Sequence, residues 1–391
     1  MNDTSGATAE GGAAVSAGAL AGVRVVDLSR VLAGPLCTQI LADHGAQVVK
    51  VEPPAGDDTR RLGPPFAESG DAAYFQALNR GKRSIALDLT LANERETLLG
   101  LLRDADVLVE NFLPGTMERW GLGYEQALAE RFPRLVYCSI TGFGDDGPLG
   151  GLPGYDAVLQ AMCGLMSVNG TPDSGPTRLG VPVVDHLTGY TALAGILMAL
   201  VARQRTGRGQ RVETTLFDTA LSLLVPHASN WFHSGKAPAL TGSAHPNIAP
   251  YDQFEARDGP MFLGILNNAQ FARFCRVIGR EGLAGDVRFV SNASRVENSP
   301  DLRKEIETSL REFGRERLCA ELMAAGIAAG PVNTVPQALD QAHAAHRGMV
   351  VRSGAYRGLG VPIRLSATPG AVGHAPPALS AHEKEIRGEL E

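Results

Sequence analysis

Short apolar runs separated by amphipathic stretches dominate the first half of the chain. Residues 23–27, 47–52, 84–89, 107–110 and 135–140 are mostly rich in Val, Ile or Leu. Near-continuous apolar runs of this length are the pattern of strands buried on both faces. Residues 35–44 read as a helix with Pro35 near its first turn, where a missing N–H costs nothing, and 91–104 as another carrying Leu98, Leu99, Leu101 and Leu102. The alternation predicts an α/β domain on a parallel sheet.

Ala157, Val158, Ala161, Met162 and Leu165 then form a helical stripe within 155–165. A turn-rich link over 170–180 leads into an extended piece, 181–184, which delivers Asp185 to the start of a long helix over 186–205. The apolar part of that helix, 191–202, is well short of the roughly 20 residues a membrane span needs, so a core helix is expected. A strand at 211–216 and a helix at 217–233 follow.

Glycine and proline cluster over 234–250 and mark a crossing into a smaller α+β unit. Its strands are expected at 251–254 and 261–265 and its helices at 269–278, 302–313 and 315–325, with 326–331 closing it. A helical piece at 336–345 and two extended segments complete the chain. The predicted organisation is a disordered tail over 1–20, a large α/β domain from 21–233, a small α+β domain with its linker over 234–330, and a return segment, 331–391, that completes the large domain.

Charge and cysteine content narrow the function. Lys and Arg number 36 against 42 Asp and Glu, a net charge of -6 without long blocks of one sign. No basic face for nucleic acid is announced. Cys37, Cys138, Cys163, Cys275 and Cys319 are odd in number and show no C-x-x-C spacing, so neither a disulfide framework nor a thiolate cluster is indicated. A reducing cytoplasm fits that usage, and the first residues lack the basic start and leucine-rich stretch of a signal sequence.

After the first predicted strand the chain reads Leu28-Ser29-Arg30-Val31-Leu32-Ala33-Gly34-Pro35, without the spaced glycines that cup a dinucleotide or a triphosphate. An anion could still meet the helix that begins near Gly34. No H-E-x-x-H occurs, and His343 with His346 lacks an acidic or thiolate neighbour to complete a metal site. No G-x-S-x-G elbow is present.

Asp185 ends an apolar run, where burial raises a carboxyl pKa and the N–H groups of a helix start lower it. It reads as a plain helix cap or as a nucleophile with one oxygen left free. Asp156, after Gly154 and Tyr155, stands in the same two-way position. Arg60, Arg61, Arg80, Lys82, Arg83 and Arg119 are candidate counter-charges for phosphates, and local pattern does not choose among them.

Several stretches, taken in order, resemble the family III CoA-transferases. They include Val25-Val26-Asp27-Leu28-Ser29 with Ala33-Gly34-Pro35, Gly45-Ala46-Gln47-Val48-Val49-Lys50-Val51-Glu52, and Asn79-Arg80-Gly81-Lys82-Arg83-Ser84. Asp106-Val107-Leu108-Val109-Glu110-Asn111-Phe112 with Pro114-Gly115, and Gly154-Tyr155-Asp156, continue the series. Pro176-Thr177-Arg178-Leu179-Gly180 ahead of Asp185, Thr206-Gly207-Arg208-Gly209-Gln210, and the stretch 326–333 end it.

The resemblance implies a Rossmann-like large domain, a smaller α+β domain and an interlocked homodimer. It implies transfer of CoA between an acyl-CoA and a free carboxylic acid, with Asp185 as the covalent nucleophile and CoA as a substrate, not a resident cofactor. It implies CoA contacts from Arg30, Val31, Ala33, Arg80, Lys82, Arg83, Asn111, Phe112 and Arg119, and no nucleic acid or membrane partner.

Racemases of the same superfamily carry histidine immediately before the aspartate matching Asp156. Here that position is Tyr155, a poor base with a reference pKa near 10, so transferase chemistry is favoured over racemisation or a non-catalytic CoA-binding role. Formyl-CoA transferases carry a glycine-rich middle loop, whereas this chain reads Thr241-Gly242-Ser243-Ala244-His245-Pro246-Asn247. That form resembles the branch acting on succinyl-CoA and small dicarboxylic acids. Arg178 and His245 are then candidates for meeting a distal carboxylate, with Tyr155 beside the substrate.

Overall fold

The apolar runs of the first half pair as one parallel sheet in the computed structural model, which describes residues 18–391. Its strands are β1 (Arg24–Asp27), β2 (Gln47–Glu52), β3 (Lys82–Ala86), β4 (Val107–Glu110), β5 (Val136–Thr141) and β6 (Arg211–Thr215), in the order β3-β2-β1-β4-β5-β6. Strand order reverses between β1 and β4. In open α/β sheets the crevice beyond the carboxyl ends of the strands at such a reversal is where ligands bind. The segments leaving β1 and β4 begin with Leu28 and Asn111.

β3 lies earlier than expected, beginning at Lys82 and ending at Ala86. Lys82 is therefore a strand residue with a fully buried side chain. The helix Ala33–Asp43 follows the turn after β1, and the long helix Val183–Thr206 packs against it. The contact is close because Gly189 lacks a side chain: a Cβ there would stand 2.7 Å from the Ala33 carbonyl oxygen. The long helix starts at Val183, so 181–184 is not an extended strand and Asp185 sits inside the first helical turn. By length and composition this helix is long and apolar enough to cross a membrane, and its Val184, Thr188, Ala192, Ile196 and Ala199 are buried.

The chain divides into two units. The first takes the residues up to Asp156 together with Val183–Thr219 and Ala345–Glu391; the second takes Ala157–Pro182 and Ala220–Ala344. The smaller unit thus begins earlier than the expected 234 and runs past 330. One backbone tie shows why the earlier segment belongs to it: the Gly242 N–H donates to the Gly170 carbonyl at 2.8 Å.

The second unit is α+β. β7 (Tyr251–Ala256), β8 (Gly259–Gly264) and β9 (Ala328–Pro331) form an antiparallel sheet in that order. The closing segment of the sequence reading is thus its third strand. Helices Asn268–Val277, Ser299–Leu310 and Arg315–Ala324 bury Phe271, Phe274, Ile306 and Leu318 against Met261 and Leu263. The expected helix at 155–165 is two, Asp156–Met162 and Leu165–Val168, parted at Gly164, whose φ of 85° favours glycine. The expected helix at 217–233 is also two, Leu216–Ser222 and His227–Ser234, and Pro226 separates them.

The last stretch belongs to the first unit. After a hairpin of β10 (Val350–Ser353) and β11 (Tyr356–Leu359), the chain runs along the free edge of β3. Gly81 N–H donates to the His374 carbonyl at 2.9 Å, Ala86 N–H to Ser380 Oγ at 3.0 Å, and His382 N–H to the Ser84 carbonyl at 3.0 Å. The helix Glu383–Gly388 then buries Ile386 in the core under the sheet. Of the tail expected over 1–20, residues 1–17 lie outside the described residues. Residues 18–20 form a turn in which Leu20 N–H donates to the His44 carbonyl at 2.9 Å.

Candidate active site

A helix start exposes N–H groups that need acceptors, and at Val183–Thr206 the acceptor comes from another segment. Asp156 Oδ1 takes the Val184 N–H at 2.8 Å and the Asp185 N–H at 3.3 Å. Among the described residues, neither oxygen of the Asp185 side chain has a hydrogen bond or a cation partner. Burial, reinforced by the negative charge of Asp156, pushes the Asp185 carboxyl up to about 7. A carboxylate of that basicity is a stronger nucleophile than an ordinary one and is still substantially ionised at neutral pH.

Asp185 faces a cavity of about 300 Å³ at the reversal of strand order. Arg30, Val31, Ala33, Asn111, Phe112 and Tyr155 also line it. Two bonds join the β1 and β4 sides: Arg30 N–H donates to Asn111 Oδ1 at 2.8 Å, and Asn111 Nδ2 donates to the Arg30 carbonyl at 2.7 Å. The Arg30 guanidinium lies 5.3 Å from the centre of the Phe112 ring. Val31 adopts φ 69°, a left-handed conformation that a β-branched residue rarely holds. Such strain persists only where surrounding bonds over-determine it, and it concentrates at functional sites. The pinned Arg30 backbone supplies that constraint.

Behind this wall the polar groups are paired with one another. Asp27 accepts from Thr38 Oγ1 at 2.6 Å, from Lys82 Nζ at 3.0 Å and from the Ser29 hydroxyl. Burial opposes its charge, but Lys82 and Lys50 outweigh that and hold it at about 2. Lys50 donates to Asp57 and to the Ser29 carbonyl, fixing the turn that presents Arg30.

Three residues expected at the nucleotide end are themselves paired within the fold. Lys82 is fully buried and its ammonium is shared among Asp27, the Pro35 carbonyl and Asn79. Arg80 grips both oxygens of Asp43. Arg83 is held by Glu385 at 2.8 Å and Glu389 at 2.6 Å. None of the three lines the Asp185 cavity, because each cation is already committed within the fold. Arg119 is exposed, bonds Thr116 at 2.8 Å and also lies outside that lining.

Arg178 and His245 belong to the second unit. Arg178 is exposed and donates to the Leu179 carbonyl at 3.0 Å, while His245 stacks edge-on to Tyr251 and lines a cavity of about 470 Å³ there. Tyr74 was not singled out by the sequence. Burial, together with the charges of Asp185, Asp156 and Asp57, pushes its phenol up to about 12, so it stays protonated within the field of those carboxylates. No motif announces it; Asp156 was visible only as one of two equivalent cap positions.

A family model described as CoA-transferase family III matches residues 20–383. The succinate–glutarate CoA-transferase of Agrobacterium fabrum is 39% identical over 95% of this chain and 96% of its own length. The acetyl-CoA:oxalate CoA-transferase of Acetobacter aceti is 42% identical over 88% of each chain. A crystal structure of a CaiB/BaiF family protein from Brucella suis superposes with a TM-score of 0.86 at 42% identity, covering 96% of this chain and 100% of that one.

Proposed function

The chain belongs to CoA-transferase family III and moves CoA from an acyl-CoA to a carboxylic acid, and from that premise we propose that Asp185 is the nucleophile and a small dicarboxylic acid the acyl partner. Coenzyme A and its thioesters are substrates in this family, not a resident cofactor. One observation carries the assignment of Asp185. Its carboxylate is uncapped at the wall of a cavity because Asp156 takes the N–H groups beneath it.

An Asp185 oxygen attacks the thioester carbonyl carbon, the C–S bond breaks, and a mixed anhydride and CoA thiolate result. The thiolate attacks the aspartyl carbonyl, expelling the donor carboxylate and leaving an aspartyl-CoA thioester. The acceptor carboxylate attacks that thioester and frees the thiolate again. Thiolate attack on the acceptor acyl carbon then restores Asp185 and releases the new acyl-CoA. Each step keeps an activated acyl bond, so no ATP is consumed. Ala33 and Gly34 open the helix Ala33–Asp43, and among the described residues their N–H groups have no internal acceptor. They are the oxyanion donors in this reading.

Arg30, Val31, Ala33, Asn111 and Phe112 hold the thioester end of CoA, and Arg119 meets its phosphates farther out. Tyr155 and Tyr74 stand beside the acyl group. Dicarboxylate use is supported by the names of the relatives, among them the succinyl-CoA:mesaconate CoA-transferase of Haloarcula hispanica, 39% identical over 95% of this chain and 96% of its own length. The enzyme works in the cytoplasm as an interlocked homodimer, with neither a membrane nor a nucleic acid as partner. The exposed apolar Tyr190, Leu197, Met198 and Val201 of the long helix support a second copy packing there.

Incubation with succinyl-CoA and a panel of mono- and dicarboxylic acids, followed by mass analysis of the CoA esters, tests the substrate class. Hydroxylamine added after the donor should convert Asp185 to its hydroxamate. Full exchange by Asp185→Ala would overturn the mechanism, and α-deuterium incorporation into a 2-methylacyl-CoA without acceptor would favour racemisation instead.

A further inference from the structure

Glu110 ends β4 with 5% of its surface exposed and, among the described residues, no cation paired to it. Its Oε2 accepts the Phe112 N–H at 2.8 Å and its Oε1 accepts the Tyr137 hydroxyl at 3.1 Å. The two residues that follow it are the ones that fix Arg30, Asn111 through two bonds from its side-chain amide to the Arg30 backbone and Phe112 beneath the guanidinium. One carboxylate thus ties the wall of the Asp185 cavity to β5.

The groups around Glu110 are few. Tyr137 approaches from β5, Arg211 from β6 with its charge directed to Asp145, and Glu118 from the helix Thr116–Arg119. Tyr124 and Glu125 close the same small cavity of about 140 Å³. Burial pushes the Glu110 carboxyl up to about 7; Glu118 adds to this, while the Phe112 and Tyr137 bonds and Arg211 oppose it. Burial and Glu110 push the Tyr137 phenol far above its ordinary range, so it stays a donor. A proton on Glu110 removes the charge that strengthens both ties: the Tyr137 hydroxyl must turn from donor to acceptor to keep its bond, and the Phe112 N–H is left with a weaker, neutral acceptor.

We propose that Glu110 is a positioning residue for acyl-CoA, a latch whose ionised carboxylate holds the Arg30 side of the cavity in its binding shape and whose protonation releases it. This rests on the reading that the Asp185 cavity takes the thioester end of CoA. Affinity for CoA then weakens as pH falls through neutrality, separately from any titration of the nucleophile.

Calorimetric binding of CoA to the full-length Asp185→Asn protein, with and without Glu110→Gln, separates the two ideas. Between about pH 8.5 and pH 6 the single variant should lose about tenfold in affinity, and Glu110→Gln should start about tenfold weaker at the high end and change far less. Titration of the CoA phosphates is common to both proteins and cancels in the comparison. Equal affinity and identical pH dependence in the two proteins would sink the latch while leaving the cavity assignment intact. No CoA binding by folded Asp185→Asn at any pH would remove the cavity assignment itself, and the latch with it. Should Glu110→Gln fail to fold, Asp185→Asn with Tyr137→Phe decides: loss of one tie should move the midpoint of the pH dependence upward, and an unmoved midpoint overturns the proposal.

Discussion

Asp156 caps the helix on which Asp185 rides, accepting the Val184 N–H at 2.8 Å and the Asp185 N–H at 3.3 Å with a single oxygen. The same carboxylate raises the basicity of Asp185 by its charge, second only to burial. Capping and tuning are separable by substitution.

Asp156→Asn keeps an acceptor oxygen and removes the charge. The acid limb of the exchange rate, set by Asp185 near 7, should move to lower pH with the fold intact. Asp156→Ala removes the acceptor as well, and the Asp185 carboxylate should turn back onto the freed N–H groups, lowering kcat about 100-fold. Single-turnover pH profiles of both variants check this, and an unshifted acid limb in Asp156→Asn would show that the charge is not felt.

Asp185 should make the protein less stable at the pH where it works. Its folded pKa of about 7 lies above an unfolded value near 3.9, so the folded state binds more protons between those limits and stability falls as pH rises through them. Asp185→Asn is expected to gain roughly 1–2 kcal/mol at pH 8, allowing for partial solvent access, and nothing near pH 4. Scanning calorimetry at the two pH values measures the difference.

Val31 offers a third test, because its φ of 69° is costly for a β-branched side chain. Glycine relieves strain of about 1–2 kcal/mol but adds unfolded-state entropy worth about 0.5–1 kcal/mol. Val31→Gly should therefore melt close to the parent protein while its KM for acyl-CoA rises about fivefold with kcat little changed. A matching fall in kcat would indicate a role in the chemical step.

Lys82 and Arg30 should fail in different ways. Lys82→Met leaves Asp27 buried without its nearest cation, and breaking a buried pair costs about 3–5 kcal/mol, visible as a lower urea midpoint. Arg30→Ala should unfold at the parent midpoint and bind acyl-CoA weakly. If Lys82→Met keeps its stability and loses only affinity, Lys82 contacts the nucleotide after all.

Much of the sheet was legible because Val-rich runs at β1, β2, β4 and β5 have no other good use than burial on two faces. β3 was read late because a strand opening on Lys82 and Arg83 looks polar; the Asp27 that neutralises Lys82 is 55 positions away. The start of the long helix was misplaced for the same kind of reason. Its cap is Asp156, 28 positions upstream of Val184, and no local pattern expresses such a pairing. Asp185 itself could not be told from a cap residue by its neighbours, and resemblance singled it out. The left-handed Val31 and the burial of Tyr74 within the field of the acids are products of packing that a linear pattern does not encode.

The strip of chain from 371 to 388 that covers β3 has a consequence for synthesis. A ribosome finishes the six strands of the large sheet by Thr215, yet the piece that seals one rim is made well after them. Until then Lys82–Ala86 offers bare amide and carbonyl groups to any extended peptide nearby. Nascent chains stalled before 371 should therefore clump or recruit chaperones more readily than finished ones, and a stop codon there should be far more damaging than its distance from Asp185 suggests.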